Sequence, residues 1–258
     1  MKTRLSLVLA ISLFSINWTV RDLGTLPGGG GSFAMAISNH GDIVGAALNA
    51  SGKQRAVVFE PGPIFEIPTA FGFGGSVAND VNDKKMVVGQ SPTGGFLYPL
   101  GGPLTSLGAD TGAYAVNPFN DVGGYEWTSS SSTRALIWWG GSTTPFFIGV
   151  LGSGDSSTTR DLADGKAAAG ASRYKKGIPY EHAFLWADGT MYDLGTLGGD
   201  RSGADSLVVL HWPDPYHYAT HVVGYAETPA GDFHAFHWNA GTMTDLGTLP
   251  GDYESRAL

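Results

Sequence analysis

The apolar residues of this chain fall in short alternating runs separated by glycine, and Glu181 to Ala204 shows the whole pattern. His182-Ala183-Phe184-Leu185-Trp186 is rich in aromatic and aliphatic residues, which suits a strand with a buried face. Asp188-Gly189 follows, a pair that tolerates the positive φ of a two-residue hairpin turn. Thr190-Met191-Tyr192-Asp193-Leu194 alternates again with period two. Gly195 and Gly198-Gly199 then turn the chain toward another strand. Nothing in the stretch has helical spacing.

The same pieces return at Phe233 to Trp238, Asn239-Ala240-Gly241 and Thr242 to Leu249, and in part at Asp22 to Leu26. A unit reads as four pieces: A-x-x-I-N, a run ending V-V-G, H-A-F-L-W, and M-x-D-L-G-T-L. The second-piece glycine falls at Gly45, Gly89, Gly124, Gly170 and Gly224, and the third-piece aromatic at Phe59, Tyr98, Trp138, Trp186 and Trp238. Both markers step by about 45 residues on average. Four strand-like pieces at that period are the sequence pattern of a β-propeller blade. The chain is therefore expected to be all-β, a β-propeller of about five four-stranded blades plus a partial sixth, with an open or truncated ring as an alternative to a closed one. The units lie at about 33–67, 77–107, 113–148, 158–194 and 203–246. A β-solenoid is the alternative fold, although its coils are usually shorter. A lone fourth piece at Trp18 to Leu26 and a cut-off first piece at Asp252 to Leu258 could share one closing blade.

The motifs D-L-G-T-L-G-G, A-x-x-x-N-x-x-G-x-V-V-G and H-A-F-x-W resemble the HAF-repeat family of probable extracellular bacterial repeat proteins. The resemblance covers roughly residues 20–250 and is strongest at Glu181–Asp200 and Asp232–Gly251. Arg55 and Arg134 stand where the family has His. The resemblance implies secretion, and it brings no agreed molecular function.

Composition narrows the function classes. Glycine is abundant at 39 residues and charged residues are few at 15%. The net charge of −8 argues against nucleic acid, which wants a basic face. There is no cysteine, so disulfides and cysteine metal sites are excluded. Met1 to Arg4 followed by the apolar run Leu5 to Phe14 has the form of a secretory signal peptide, placed at residues 1–15. That run is short of the ~20 apolar residues a transmembrane helix needs, and no membrane span is expected after its removal.

Candidate side chains form two groups. Asp22, His182, Trp186, Asp193, His234, Trp238 and Asp245 belong to the repeat itself, and recurrence once per unit favours a structural role. The second group is an insertion in unit five. The step from Ile37 to Gly45 is 8 residues, whereas the matching step from Leu207 to Gly224 is 17. The extra residues include His211, Trp212, Asp214, Tyr216, His217, Tyr218 and His221. The aromatics could stack on a sugar ring, and the imidazoles with one carboxylate suit a metal such as zinc. Pro213 and Pro215 argue against the helix that would put His217 and His221 on one face, so no metal site is assigned. Inserted loops on rigid scaffolds are where function tends to sit. This loop and the D-L-G-T-L turns should lie on opposite faces of the disc, because consecutive antiparallel turns alternate.

No serine-nucleophile elbow, H-E-x-x-H or paired acidic motif is present. The sequence thus points to a secreted, non-catalytic repeat module with no cofactor, whose partner would be a cell-surface glycan or protein. The alternative is a carbohydrate-active propeller, lectin or glycan-cleaving enzyme, using a central channel or the Trp212 loop.

Overall fold

The computed structural model describes residues 19–60, 62–68, 74–164, 166–211 and 218–258. Its strands form five four-stranded sheets. Sheet one comprises β1 (Ser32–Ile37), β2 (Ile43–Leu48), β3 (Gln54–Glu60) and β4 (Phe65–Glu66). Sheet two comprises β5 (Val77–Val81), β6 (Met86–Ser91), β7 (Gly94–Pro99) and β8 (Thr105–Ser106). Sheet three has β9 (Thr111–Val116), β10 (Val122–Ser129), β11 (Ser132–Trp138) and β12 (Phe146–Gly149). Sheet four has β13 (Ser157–Ala163), β14 (Ala167–Arg173), β15 (Glu181–Ala187) and β16 (Thr190–Asp193). Sheet five has β17 (Ser202–His211), β18 (Tyr218–Glu227), β19 (Phe233–Asn239) and β20 (Thr242–Asp245). Every sheet is an antiparallel meander in chain order, unlike the parallel coils of a solenoid. The only helical turn among the described residues is the 3-10 turn Trp139–Gly141.

The turns follow the local chemistry. Asp188 and Gly189 have φ of 52° and 80°, and Ala240 and Gly241 have 48° and 86°, so both are two-residue hairpins with two left-handed residues. In units one to three a Ser or Asn closes the turn after the first strand. Asn82 Oδ1 accepts the N–H groups of Lys84 and Met86, and Asn117 Oδ1 those of Phe119 and Asp121.

The cores lie between sheets. Third-strand residues alternate in direction, so Phe184 and Trp186 pack back on Ile137, Ile148 and Leu151 of sheet three. Ala183 and Leu185 pack forward on Ala204, Leu207 and Phe236 of sheet five. The same division recurs between sheets one and two and between sheets two and three. First strands also pack in succession: β1 on β5, β5 on β9, β9 on β13 and β13 on β17.

Two repeated devices join the strands. The second-strand glycine sits where a Cβ would overlap a first-strand carbonyl, that of Phe33, Val77, Gly112, Thr158 or Gly203. A hydroxyl at the start of each first strand stitches consecutive sheets. Ser157 Oγ accepts Ala135 N–H at 2.9 Å and donates to the Gly149 carbonyl at 2.7 Å. Thr111, Ser202 and Ser255 do the same to Gly95 and Gly108, Ala183 and Gly195, and Ala235 and Gly247.

That pattern explains the two ends. Ser255 places the tail as a first strand would lie beside sheet five, with Ala257 N–H donating to the Gly224 carbonyl at 3.2 Å. At the other end Leu23 and Leu26 pack on Ala47, Val57 and Phe59, as a fourth piece packs on the sheet after it. Among the described residues no strand pairing joins sheet one to sheet five. Residues 1–18, including the expected signal, lie outside the described residues.

Candidate functional site

The repeat residues meet as pairs within each sheet. His182 Nδ1 bonds the Asp193 carboxylate at 2.9 Å, and His234 Nδ1 bonds Asp245 at 3.0 Å. The same carboxylates accept Gly195 N–H and Gly247 N–H, as Asp22 accepts Gly24 N–H. Burial pushes the Asp193 carboxyl up, but its bonds to His182 and Gly195 outweigh that and hold it below the usual range. In sheet one Arg55 replaces the His and Glu66 the Asp, and the ion pair persists at 3.3 Å. Trp186 is buried beside Trp139 and Phe146, while Trp238 is half-buried against the core shared by sheets four and five.

The insertion in unit five lengthens a hairpin. β17 and β18 are ten residues each, and the ladder continues through Val208↔His221, Val209↔Thr220, Leu210↔Ala219 and His211↔Tyr218. Trp212, Asp214, Tyr216 and His217 lie outside the described residues, and of His211 and Tyr218 only the backbone is described. Among the described residues no carboxylate stands beside His221. Its Nδ1 bonds His237 Nε2 at 2.8 Å, with the two rings stacked 5.0 Å apart. Among the described residues no group of three His, Asp or Glu could hold a metal ion.

A different constellation gathers at the start of the first strands, on sheets two to four. Tyr125 and Trp127 are two apart on β10 and so share one face. Their rings meet edge to face at 5.7 Å, and Tyr114 lies 5.4 Å from Tyr125 on the other side. Tyr125 donates its hydroxyl to Gln90 Oε1 at 3.0 Å, and burial pushes its pKa up to about 12. Gly112 has no Cβ to displace the Tyr125 ring, which would lie 2.6 Å from one. Trp127 is held by its backbone N–H to the Asp110 carbonyl at 2.7 Å, yet is 47% exposed. It walls a cleft of about 250 Å³ with Thr133, Arg173 and Glu181, and another of about 330 Å³ with Gln90, Pro92 and Asp110. A third, of about 500 Å³, reaches over Thr128 to Ser130.

Each first strand carries a one-residue bulge at the same place, occupied by Met35, Asn79, Tyr114, Arg160 and Asp205 in turn. Arg160 and Arg256 both bond the Asp205 carboxylate, at 3.0 and 2.6 Å, and both lie over the Tyr225 ring. Two guanidiniums share one carboxylate there, and the Glu181 carboxylate lies near enough to act on the Arg160 charge.

The residue after the bulge is Asp80 on sheet two and Asp161 on sheet four. Asp80 accepts Val81 N–H and Val116 N–H, both at 2.8 Å, and Asp161 accepts Leu162 N–H, Leu207 N–H and the Ser206 hydroxyl. Burial pushes Asp80 up to about 6 against those bonds, and Asp161 is also raised by burial. Their oxygens are engaged in joining first strands of neighbouring sheets.

No protein-family model matches the chain, and no curated protein matches it. Function must therefore be argued from the site. Sequence reasoning placed its candidates on the unit-five insertion and passed over Tyr114, Tyr125 and Trp127. A signal was present: after the second-strand glycine, unit four has Ala171 and Arg173 where unit three has Tyr125 and Trp127.

Proposed function

We propose that the chain is a secreted, non-catalytic repeat module of the HAF-repeat type, in which five sheets serve as blades of a β-propeller and one face binds an extracellular ligand. The observation that carries this reading is the exposed Trp127 and its contact with Tyr125 and Tyr114; Trp127 and Tyr114 occur at their positions in unit three alone, whereas Tyr125 has a counterpart in Tyr225 of unit five. Clefts with a rigid aromatic wall and a few polar groups are the usual form of a ligand site. Leu5 to Phe14 and the motif resemblance support secretion. Among the described residues no helix is long and apolar enough to cross a membrane.

The test is a binding screen of the purified chain against arrayed glycans and cell-envelope proteins, with Trp127→Ala as control. Saturable binding that needs Trp127 and leaves the ligand chemically unchanged is expected. Turnover of a bound substrate that disappears with an acidic pair, or no binding to any arrayed class, would refute the reading. Expression in a bacterial host checks export: the mature chain should leave the cytoplasm with its N-terminal run removed.

A further inference from the structure

We propose that the clefts walled by Trp127 bind a neutral glycan, with one sugar ring stacked on the indole. The inference rests on the binding-module reading and names its ligand class.

The stacking surface is preorganised. Trp127 is fixed by the bond from its backbone N–H to Asp110 and by its edge contact with Tyr125, whose own hydroxyl is tied to Gln90. A ligand therefore meets an aromatic face that is already ordered, so little side-chain entropy is lost on binding. Because Trp127 walls a cleft on each side, an oligosaccharide can pass over it with rings in both.

The polar groups select against charge. Arg173 and Glu181 line the same cleft with opposite signs. Arg173 donates to Asp155 at 3.2 Å and to the Ser131 carbonyl at 2.8 Å, which leaves a second N–H on each terminal nitrogen for a ligand, its Nε being buried out of reach. The Glu181 carboxylate lines the cleft and lies near the Arg160 guanidinium. A hydroxyl offers a lone pair to Arg173 and a proton to Glu181, and so satisfies both. A carboxylate or sulfate would meet Glu181 and Asp110, and the overall charge of −8 opposes polyanions at longer range. The C–H face of a sugar ring covers the indole while its equatorial hydroxyls reach the rim, which is the division of apolar and polar groups seen here.

Isothermal titration of the full chain with cellohexaose, maltohexaose, laminarihexaose and chitohexaose tests this. At least one should bind saturably at millimolar concentration or below. Trp127→Ala should weaken that binding about tenfold or more, the loss expected for a deleted stacking partner. Trp127→Phe should retain most of it, and Glu181→Gln should weaken it several-fold. Melting temperatures should stay near wild type, because Trp127 is half exposed. Absence of binding by all four, or binding indifferent to Trp127→Ala in a folded variant, overturns the proposal. If a uronate or sulfated glycan or a peptide binds in a Trp127-dependent way instead, the neutral-glycan assignment fails and the binding-module reading stands. If nothing of any class binds, both fail.

Discussion

Asp80→Asn should flatten the dependence of stability on pH. In the wild type, burial raises the Asp80 carboxyl from 3.8 to about 6, with Asp161 adding a smaller push in the same direction. The folded state therefore binds more protons than the unfolded chain between those values. A raised carboxylate makes its full stabilising contribution below the unfolded pKa and loses it as pH rises through the folded one. At 1.36 kcal/mol per pKa unit the whole shift is worth about 3 kcal/mol, an upper bound because Asp80 keeps some solvent contact. Roughly 2 kcal/mol of that falls between pH 4.5 and 7.5. Asparagine cannot ionise, and it resembles the protonated acid in keeping one acceptor for Val81 or Val116. Urea unfolding followed by far-ultraviolet circular dichroism at both pH values gives the measurement. The wild type should lose about 2 kcal/mol more than Asp80→Asn on going from pH 4.5 to 7.5. Parallel curves for the two proteins would refute the reasoning and place the Asp80 pKa near that of an exposed carboxylate.

Three substitutions, one of them a control, test the repeated joints. Gly170→Ala should destabilise by more than about 4 kcal/mol, because the added methyl overlaps the Thr158 carbonyl and forces β13 from β14, whereas Gly189→Ala, with φ of 80° and open space around it, should cost only about 1 kcal/mol in thermal or chemical unfolding. Ser202→Ala strands the buried N–H of Ala183 and should cost about 1–3 kcal/mol by urea denaturation, with no loss if water replaces the hydroxyl.

Much of the fold was legible because the repeat writes backbone requirements into residue identity. Gly45, Gly89, Gly124, Gly170 and Gly224 mark a close approach that excludes a side chain, and Asp188-Gly189 marks a turn that needs two left-handed residues. Such positions recur because every sheet poses the same steric problem. The pairing of His182 with Asp193 was not legible, since eleven residues separate them and only the β15–β16 register brings them together. Arg55 showed in the sequence only as a departure from the motif's His, and with Glu66 it is a second solution to the same contact. The candidate site was hidden for the opposite reason. Tyr125 and Trp127 follow the V-V-G glycine at positions the motif leaves blank, and in A-x-x-I-N the two x positions carry the bulge residue and the one after it, where Tyr114, Arg160, Asp205, Asp80 and Asp161 stand. A search for conserved spacing discards those positions as variable, yet variation on a fixed frame is where one unit can differ usefully from another. The insertion drew attention by its length, although much of it simply extends the β17–β18 ladder.

The same stacking predicts where the molecule opens first. Ile37, Val81, Val116, Leu162 and Leu207 are equivalent in register, and their exposures are 66%, 5%, 7%, 8% and 8%. Each of the last four is buried against the preceding sheet, whereas β1 has Phe33, Met35 and Ile37 exposed. At the other end Leu246 is 55% exposed where its counterpart Leu194 is 7%. A fully buried side chain of this size contributes about 1.5–3 kcal/mol, so the terminal sheets lack several such contributions. The trailing face of sheet five also differs in kind. His237 stands where Val58, Leu97, Ile137 and Leu185 are buried in sheets one to four, and its partner is the imidazole of His221. An imidazole pair is acceptable there because, among the described residues, no sheet packs over that face. In a stack whose units touch only their neighbours, stability is close to a sum over interfaces. Sheets two, three and four each share two interfaces, so opening them breaks both. Native-state hydrogen exchange should therefore find β1 and β20 exchanging through partial openings of low free energy, while β10 and β14 exchange only with global unfolding. Equal protection across all five sheets would mean that the junctions are not the units of stability.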